Sequence, residues 1–231
     1  MDINLFGGEK GGVGKSLVCR TAIQYNLDKG ENFEVFETDR SNPDIKRIYG
    51  SVVPCKLGIF SEGEKYEDSA NQIFNTAEEK RVLVNLPAQV QPALKKFFND
   101  NEIFDIAPEI GINFNIWFVS DGGYDSLNLL HKSLEYFQDN AKHIVVQNYG
   151  RSEDWDAFRK EESLQELIKK YDASIIKFPK FLGSVVKNSI DKLSLPFSEA
   201  LEYKAFGAIE RQRVKKFLRE AYQAFESVGV F

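Results

Sequence analysis

Leu5-Phe6-Gly7-Gly8-Glu9-Lys10-Gly11-Gly12-Val13-Gly14-Lys15-Ser16 is the stretch on which the reading of this chain turns. Ahead of it the apolar run Ile3–Phe6 has strand length, and behind it residues Ser16 to Lys29 carry Leu17, Ala22, Ile23 and Leu27 at helical spacing. Glycines between a strand and a helix let the backbone take positive φ and turn its N–H groups toward an anion. The helix adds the positive end of its dipole at the same spot. In such a loop Lys15 neutralises phosphate charge, and the Ser16 hydroxyl is a hard oxygen ligand for Mg²⁺. A lone Gly-x-Gly would read as an ordinary turn. A full Gly12-Val13-Gly14-Lys15-Ser16 in this setting reads as a phosphate-binding P-loop, with Gly11, Gly12, Val13, Gly14, Lys15, Ser16 and Leu17 around the phosphates of ATP.

Outward from the loop, short apolar runs recur at Phe33–Thr38, Val82–Leu86, Ile112–Val119, His143–Gln147 and Ser174–Phe178. Helical patterns fall between them: Pro92 to Phe98, Asp125 or Ser126 to Phe137, Asp154 to Tyr171 and Tyr203 to Ser227. Residues Ser61 to Asn75 are polar and ambiguous, a loop followed by a helix. Strands separated by helices imply right-handed crossovers. The expectation is an α/β fold: one P-loop NTPase domain over residues 1–231, with a mostly parallel twisted sheet and helices on both faces.

Composition narrows the chemistry. With 231 residues, 42% hydrophobic and 28% charged, the chain has ordinary globular proportions. No stretch approaches the roughly 20 apolar residues of a membrane span. The start runs straight into a strand without the charged and apolar regions of a secretory signal, so a cytoplasmic location is expected. Cys19 and Cys55 are the only cysteines and His131 and His143 the only histidines, too few for a zinc site, a disulfide framework or Ser-His and Cys-His nucleophiles. A net charge of −5 argues against wholesale coating of nucleic acid.

The string Lys10-Gly11-Gly12-Val13-Gly14-Lys15-Ser16 resembles the deviant Walker A motif of the ParA/MinD family of ATPases, in which a second lysine precedes the glycines. The resemblance implies an ATP-dependent homodimer with ATP sandwiched between subunits, Lys10 acting in trans on the partner's phosphates. Glu37-Thr38-Asp39-Arg40-Ser41-Asn42-Pro43 stands where the family places an Asp-x-Asp switch. By that match Asp39 positions the attacking water, Glu37 sits in the outer shell of Mg²⁺, and the metal-side residues are Ser16, Glu37, Asp39 and Asn85. Catalytic roles thus fall to Lys10, Lys15 and Asp39. Val82-Leu83-Val84-Asn85-Leu86-Pro87 resembles the Walker B strand, but Asn85 occupies the place of the metal-side aspartate. An amide can bond a metal-bound water without supplying negative charge, which puts Mg²⁺ affinity and hydrolysis in question. Asn148 and Pro179, each at the end of a strand run, match family positions beside the base.

Asp39, Ser41-Asn42-Pro43 and Asn85-Leu86-Pro87-Ala88-Gln89 look most like the TraL-like conjugative-transfer and mobilisation branch. A partner protein is implied. Arg211, Lys215 and Arg219, four apart on the last helical run, offer a face for non-specific DNA phosphates, or a solvated face of a helix packed through Phe206, Ile209, Phe217, Ala221 and Phe225. The tail from Ala221 to Phe231 lacks the basic polar face of a membrane-targeting helix. Two other readings stand beside the ATP switch: a non-hydrolysing scaffold, motivated by Asn85, and a metabolic or redox enzyme on the same fold.

Overall fold

The computed structural model describes residues 1–60 and 69–231. The strands are β1 (Asp2–Gly7), β2 (Phe33–Glu37), β3 (Cys55–Leu57), β4 (Arg81–Asn85), β5 (Asn113–Ser120), β6 (Lys142–Asn148) and β7 (Ser174–Phe178). They form one sheet in the order β3-β2-β4-β1-β5-β6-β7, and every pair is parallel. The helices are α1 (Lys15–Lys29), α2 (Asp44–Tyr49), α3 (Asn71–Ala77), α4 (Gln91–Asp100), α5 (Ile103–Glu109), α6 (Tyr124–Phe137), α7 (Asp156–Lys160), α8 (Glu162–Lys170), α9 (Ser184–Leu193), α10 (Phe197–Glu202) and α11 (Ala208–Glu226). None of them is long and apolar enough to cross a membrane.

Alternation along the central strands sends successive side chains into two cores. Ile3 and Leu5 of β1, with Val82 and Val84 of β4, pack with Phe74, Phe98 and Leu134 from α3, α4 and α6. Phe6 and Leu83 point the other way, among Cys19, Ala22, Phe217 and Phe225 from α1 and α11. A sheet covered on both faces explains why its strands read as continuous apolar runs.

Parallel order has a consequence for function: all strand C-termini share one edge. Gly7, Glu37, Asn85, Ser120, Asn148 and Phe178 end their strands there. Open α/β sheets bind ligands at that edge.

Some expected elements shift. The run Asp154–Tyr171 breaks at Glu161, whose φ of −80° and ψ of 89° leave the helix and give α7 and α8. Phe158 and Leu164, six residues apart, would lie on different faces of one helix, and the break brings both into the same core. The last helix starts at Ala208 rather than Tyr203, and Ile209, expected inside, is 67% exposed because the buried stripe runs through Val214, Phe217, Leu218, Ala221 and Phe225. The polar stretch Ser61–Asn75 ends in α3, while residues 61–68 lie outside the described residues.

Candidate functional site

The P-loop joins β1 to α1 and is shaped by glycine backbone. Gly14, just before α1, has φ of 104°, and a Cβ there would sit 2.3 Å from Asn148 Nδ2. Gly8, at φ 150°, would set a Cβ 2.3 Å from the Val119 carbonyl oxygen. Glycine is required at both places. Lys15 opens α1, almost buried, and its Nζ donates to the Lys10 carbonyl oxygen at 3.2 Å, inside the curve of the loop. Burial lowers its pKa, and Asp39 and Glu9 oppose that.

In front of the loop lies a cleft of about 410 Å³ whose lining includes Gly11, Gly12, Gly14, Lys15, Ser16 and Asp39. A second cleft of about 290 Å³ adjoins it, lined by Leu17, Asn148 and Pro179 among others. Most of the residues selected from sequence are therefore brought to one edge. Val13 is buried and contributes its carbonyl oxygen, which accepts from Asn148 Nδ2 at 2.7 Å. Asn148 Oδ1 accepts from Gly150 N at 2.9 Å, so this amide braces the loop from the second cleft.

Behind the cleft sits a buried pair. Asn85 Nδ2 donates to Glu37 Oε1 at 2.9 Å. The same oxygen accepts from Asp39 N at 3.0 Å, and Oε2 accepts from Ile45 N at 2.8 Å. Glu37 thus fixes the switch segment from both ends, from the turn after β2 to the start of α2. Burial pushes its pKa up although these donors favour the charged form. Asp39 Oδ1 accepts from Ser41 N, Ser41 Oγ and Asn42 N, folding residues 39–42 into a tight side-chain-capped turn at the cleft wall.

Mg²⁺ needs hard oxygen donors. Ser16 supplies a hydroxyl and Asp39 a carboxylate, both on the cleft. Asn85 Oδ1 is buried with no hydrogen-bond partner, an orphaned acceptor suited to a metal-bound water. Glu37 has both oxygens engaged. Among the described residues no group of three or more His, Cys, Asp or Glu could hold a metal. The donor set fits a Mg²⁺ that arrives with phosphates, and it is short of charge to hold the metal alone.

Lys10 stands apart from the phosphate cleft. Its ammonium lies 2.9 Å from Asp121 Oδ2, beyond the end of β5, and that hydrogen bond raises its pKa. The Asp121 carboxylate is held in turn by Gly123 N at 3.1 Å. The residues 121–126 loop was legible as a polar loop at the strand edge, but its pairing with Lys10 links positions 111 apart and has no local signal. Glu9 was equally hidden. Both its carboxylate oxygens accept from Gln91 N, at 3.1 and 3.2 Å, and its carbonyl accepts from Gln89 N at 3.0 Å. The residue in place of the usual opening glycine therefore fastens the P-loop to the start of α4, and burial raises its pKa.

The all-parallel sheet and its helices superpose on MinD from Aquifex aeolicus at TM-score 0.55 and 15% identity, over 100% of this chain and 98% of that one. The fold is that of MinD. MinD in the MinC:MinD cell division complex of the same organism superposes at TM-score 0.54 and 14% identity, covering 100% and 97%. A nucleotide-binding protein from Archaeoglobus fulgidus, solved in complex with ADP, superposes at TM-score 0.56 and 17% identity over 84% of this chain and 86% of that one. In sequence, the chain is 23% identical to protein MobD of Acidithiobacillus ferrooxidans over 227 residues, 98% of this chain and 97% of that protein. It is 24% identical to protein TraL of Escherichia coli over 236 aligned positions, 96% and 95% of the two. No family model matches the chain. The ParA/MinD resemblance read from the loop thus stands in the fold, and TraL is itself among the relatives.

Proposed function

We propose that this chain is an ATP-dependent switch of the ParA/MinD type. It binds Mg-ATP on the P-loop, pairs with a second copy around the nucleotide, and in that state engages a partner. Slow hydrolysis resets it. Lys15 neutralises phosphate charge, Asp39 positions the attacking water, and Ser16 with Asn85 Oδ1 places the metal. Mg²⁺, when bound, neutralises the charge developing on the transferred phosphoryl group. A Lys10 ammonium that lies outside the phosphate cleft of its own protomer carries this reading: it is free to serve another protomer once Asp121 releases it. ADP in the A. fulgidus relative supports nucleotide binding, and MinC on MinD supports a protein as the partner. Likeness to TraL and MobD along nearly the whole chain supports a role in conjugative transfer or mobilisation. For DNA phosphates, Lys215 and Arg219 on α11 are exposed and Arg211 is half-buried, which leaves them available as a secondary contact.

The test is molar mass by light scattering after gel filtration, in Mg-ATP and in Mg-ADP. Doubling with ATP alone, lost in Lys10→Ala while ATP binding persists, is the expected outcome. A Lys10→Ala chain that dimerises normally would remove the trans role.

A second reading, a non-hydrolysing ATP-bound scaffold, draws on the Asn85–Glu37 pair, which leaves one carboxylate where the family has two. Tight ATP binding with no phosphate release from either the natural chain or Asn85→Asp would favour it.

A further inference from the structure

The phosphate cleft and the base-side cleft share four lining residues: Gly14, Leu17, Arg151 and Lys187. A nucleotide with its phosphates in one cleft and its base in the other must place its ribose and α-phosphate across those four. Two of them are cations, and no anionic residue is shared. The other charges around the phosphate cleft are largely spoken for. Arg20 pairs with Asp191 at 2.7 Å, Arg47 with Asp44 at 2.7 Å, and Asp39 closes its own turn. Arg151 and Lys187 have no ion-pair or side-chain hydrogen-bond partner among the described residues. Their backbones are well fixed: Arg151 N donates to Asn148 O at 2.9 Å, and Lys187 sits in the first turn of α9, its N donating to Gly183 O at 3.1 Å. Gly183 and Ser184, at the start of this ten-residue helix, also line the base-side cleft, and no side chain caps the helix. The helix therefore turns its unsatisfied N–H groups toward the same place.

We propose that Arg151 and Lys187 clamp the α-phosphate at the ribose–phosphate junction of the bound nucleotide, supplying positive charge that a metal site with few carboxylates does not hold firmly. The proposal rests on the nucleotide-binding reading and extends it. Binding of a nucleoside diphosphate then depends on these two side chains and survives removal of Mg²⁺. Two charge-assisted contacts, each worth roughly tenfold in affinity, set the expected scale.

Calorimetric titration of the full chain with ADP and with adenosine, in magnesium and in EDTA, tests it. The natural chain should bind ADP in both buffers, within about tenfold of each other. The double variant Arg151→Gln, Lys187→Gln should weaken ADP by about a hundredfold in EDTA and by less in magnesium, with adenosine unchanged. Its thermal midpoint should match the natural chain, since neither side chain has a partner to lose. The charge-preserving pair Arg151→Lys, Lys187→Arg should recover most of the loss. Unchanged ADP binding in the double variant overturns the clamp, as does complete loss of ADP binding by the natural chain in EDTA alone. Failure of the natural chain to bind ADP in either buffer overturns the nucleotide reading itself.

Discussion

The P-loop and the Glu37–Asn85 pair stand side by side at the same sheet edge, yet they are built on opposite plans. The loop is made of backbone: glycines at positive φ and one lysine bonded to a loop carbonyl. The pair is made of side chains, one buried carboxylate taking three donors and one amide with an oxygen left over. A backbone cradle tolerates little change, because a Cβ at Gly14 has nowhere to go. A side-chain cluster can hold an amide or a carboxylate of the same shape at position 85, but only the amide donates to Glu37, and it carries no charge.

Substitutions that separate the two plans are ranked by expected size. Lys15→Ala removes the one cation inside the loop and should weaken ATP by about a hundredfold in calorimetry, with the fold intact by circular dichroism. Loss of less than about tenfold would mean that the loop N–H groups do the work without it. Asn85→Asp sets a second carboxylate against Glu37 at hydrogen-bond distance, where both cannot be charged at little cost. In urea unfolding at neutral pH it should cost about 2 kcal/mol. The deficit should shrink as pH falls, because a proton shared by the pair restores a donor. The same variant should bind Mg-ATP more tightly relative to ATP in EDTA. A variant as stable as the natural chain at neutral pH would show that the pair is more open to solvent than its burial indicates.

Glu37 gives a smaller effect with a pH-dependent component. Its folded pKa lies above the unfolded value, so the folded chain holds the proton more tightly. Its contribution to stability is most favourable below about pH 4.5 and declines as pH rises through the raised pKa. Glu37→Gln should remove that component, so the difference in unfolding free energy between natural chain and variant should vary with pH over this window. A difference flat from pH 4 to 7, on the order of the reference pKa upward, would place Glu37 in a solvated setting. The smallest effect belongs to Lys10→Ala in the isolated protomer. The Lys10–Asp121 pair is partly exposed, and its loss should change stability by about 1 kcal/mol or less. A large destabilisation would make Lys10 a structural residue in its own protomer and weaken its role across a dimer.

Most of the fold could be read from the chain, because fully buried parallel strands leave apolar runs that need no partner to be recognised. β3 escaped, being three residues long with a polar middle, as did α2, α5 and α10, of six or seven residues each, and the ten-residue α9 between β7 and α10. The break at Glu161 escaped for another reason: local pattern alone cannot say that two apolar faces must meet one core. Within the candidate site, Lys15 and Ser16 were selected from the spacing of the loop and Asp39 from the family resemblance, and the structure sets all three on one cleft. Asn148 was marked as a base contact, and the structure also gives it a brace on the Val13 carbonyl.

By itself the sequence determined the glycine-rich loop with Lys15 and Ser16, the α/β class, and an amide rather than a carboxylate at the end of the run Val82–Leu86, since each is written in consecutive residues whose chemistry is local. Only tertiary structure decided that Asp121 holds Lys10, that Glu9 fastens the loop to α4, and that Arg151 and Lys187 meet between two clefts. Those relations join residues far apart along the chain. They exist because parallel strands carry the loop that follows each strand to one edge, which the order of the strands, and not any one motif, arranges.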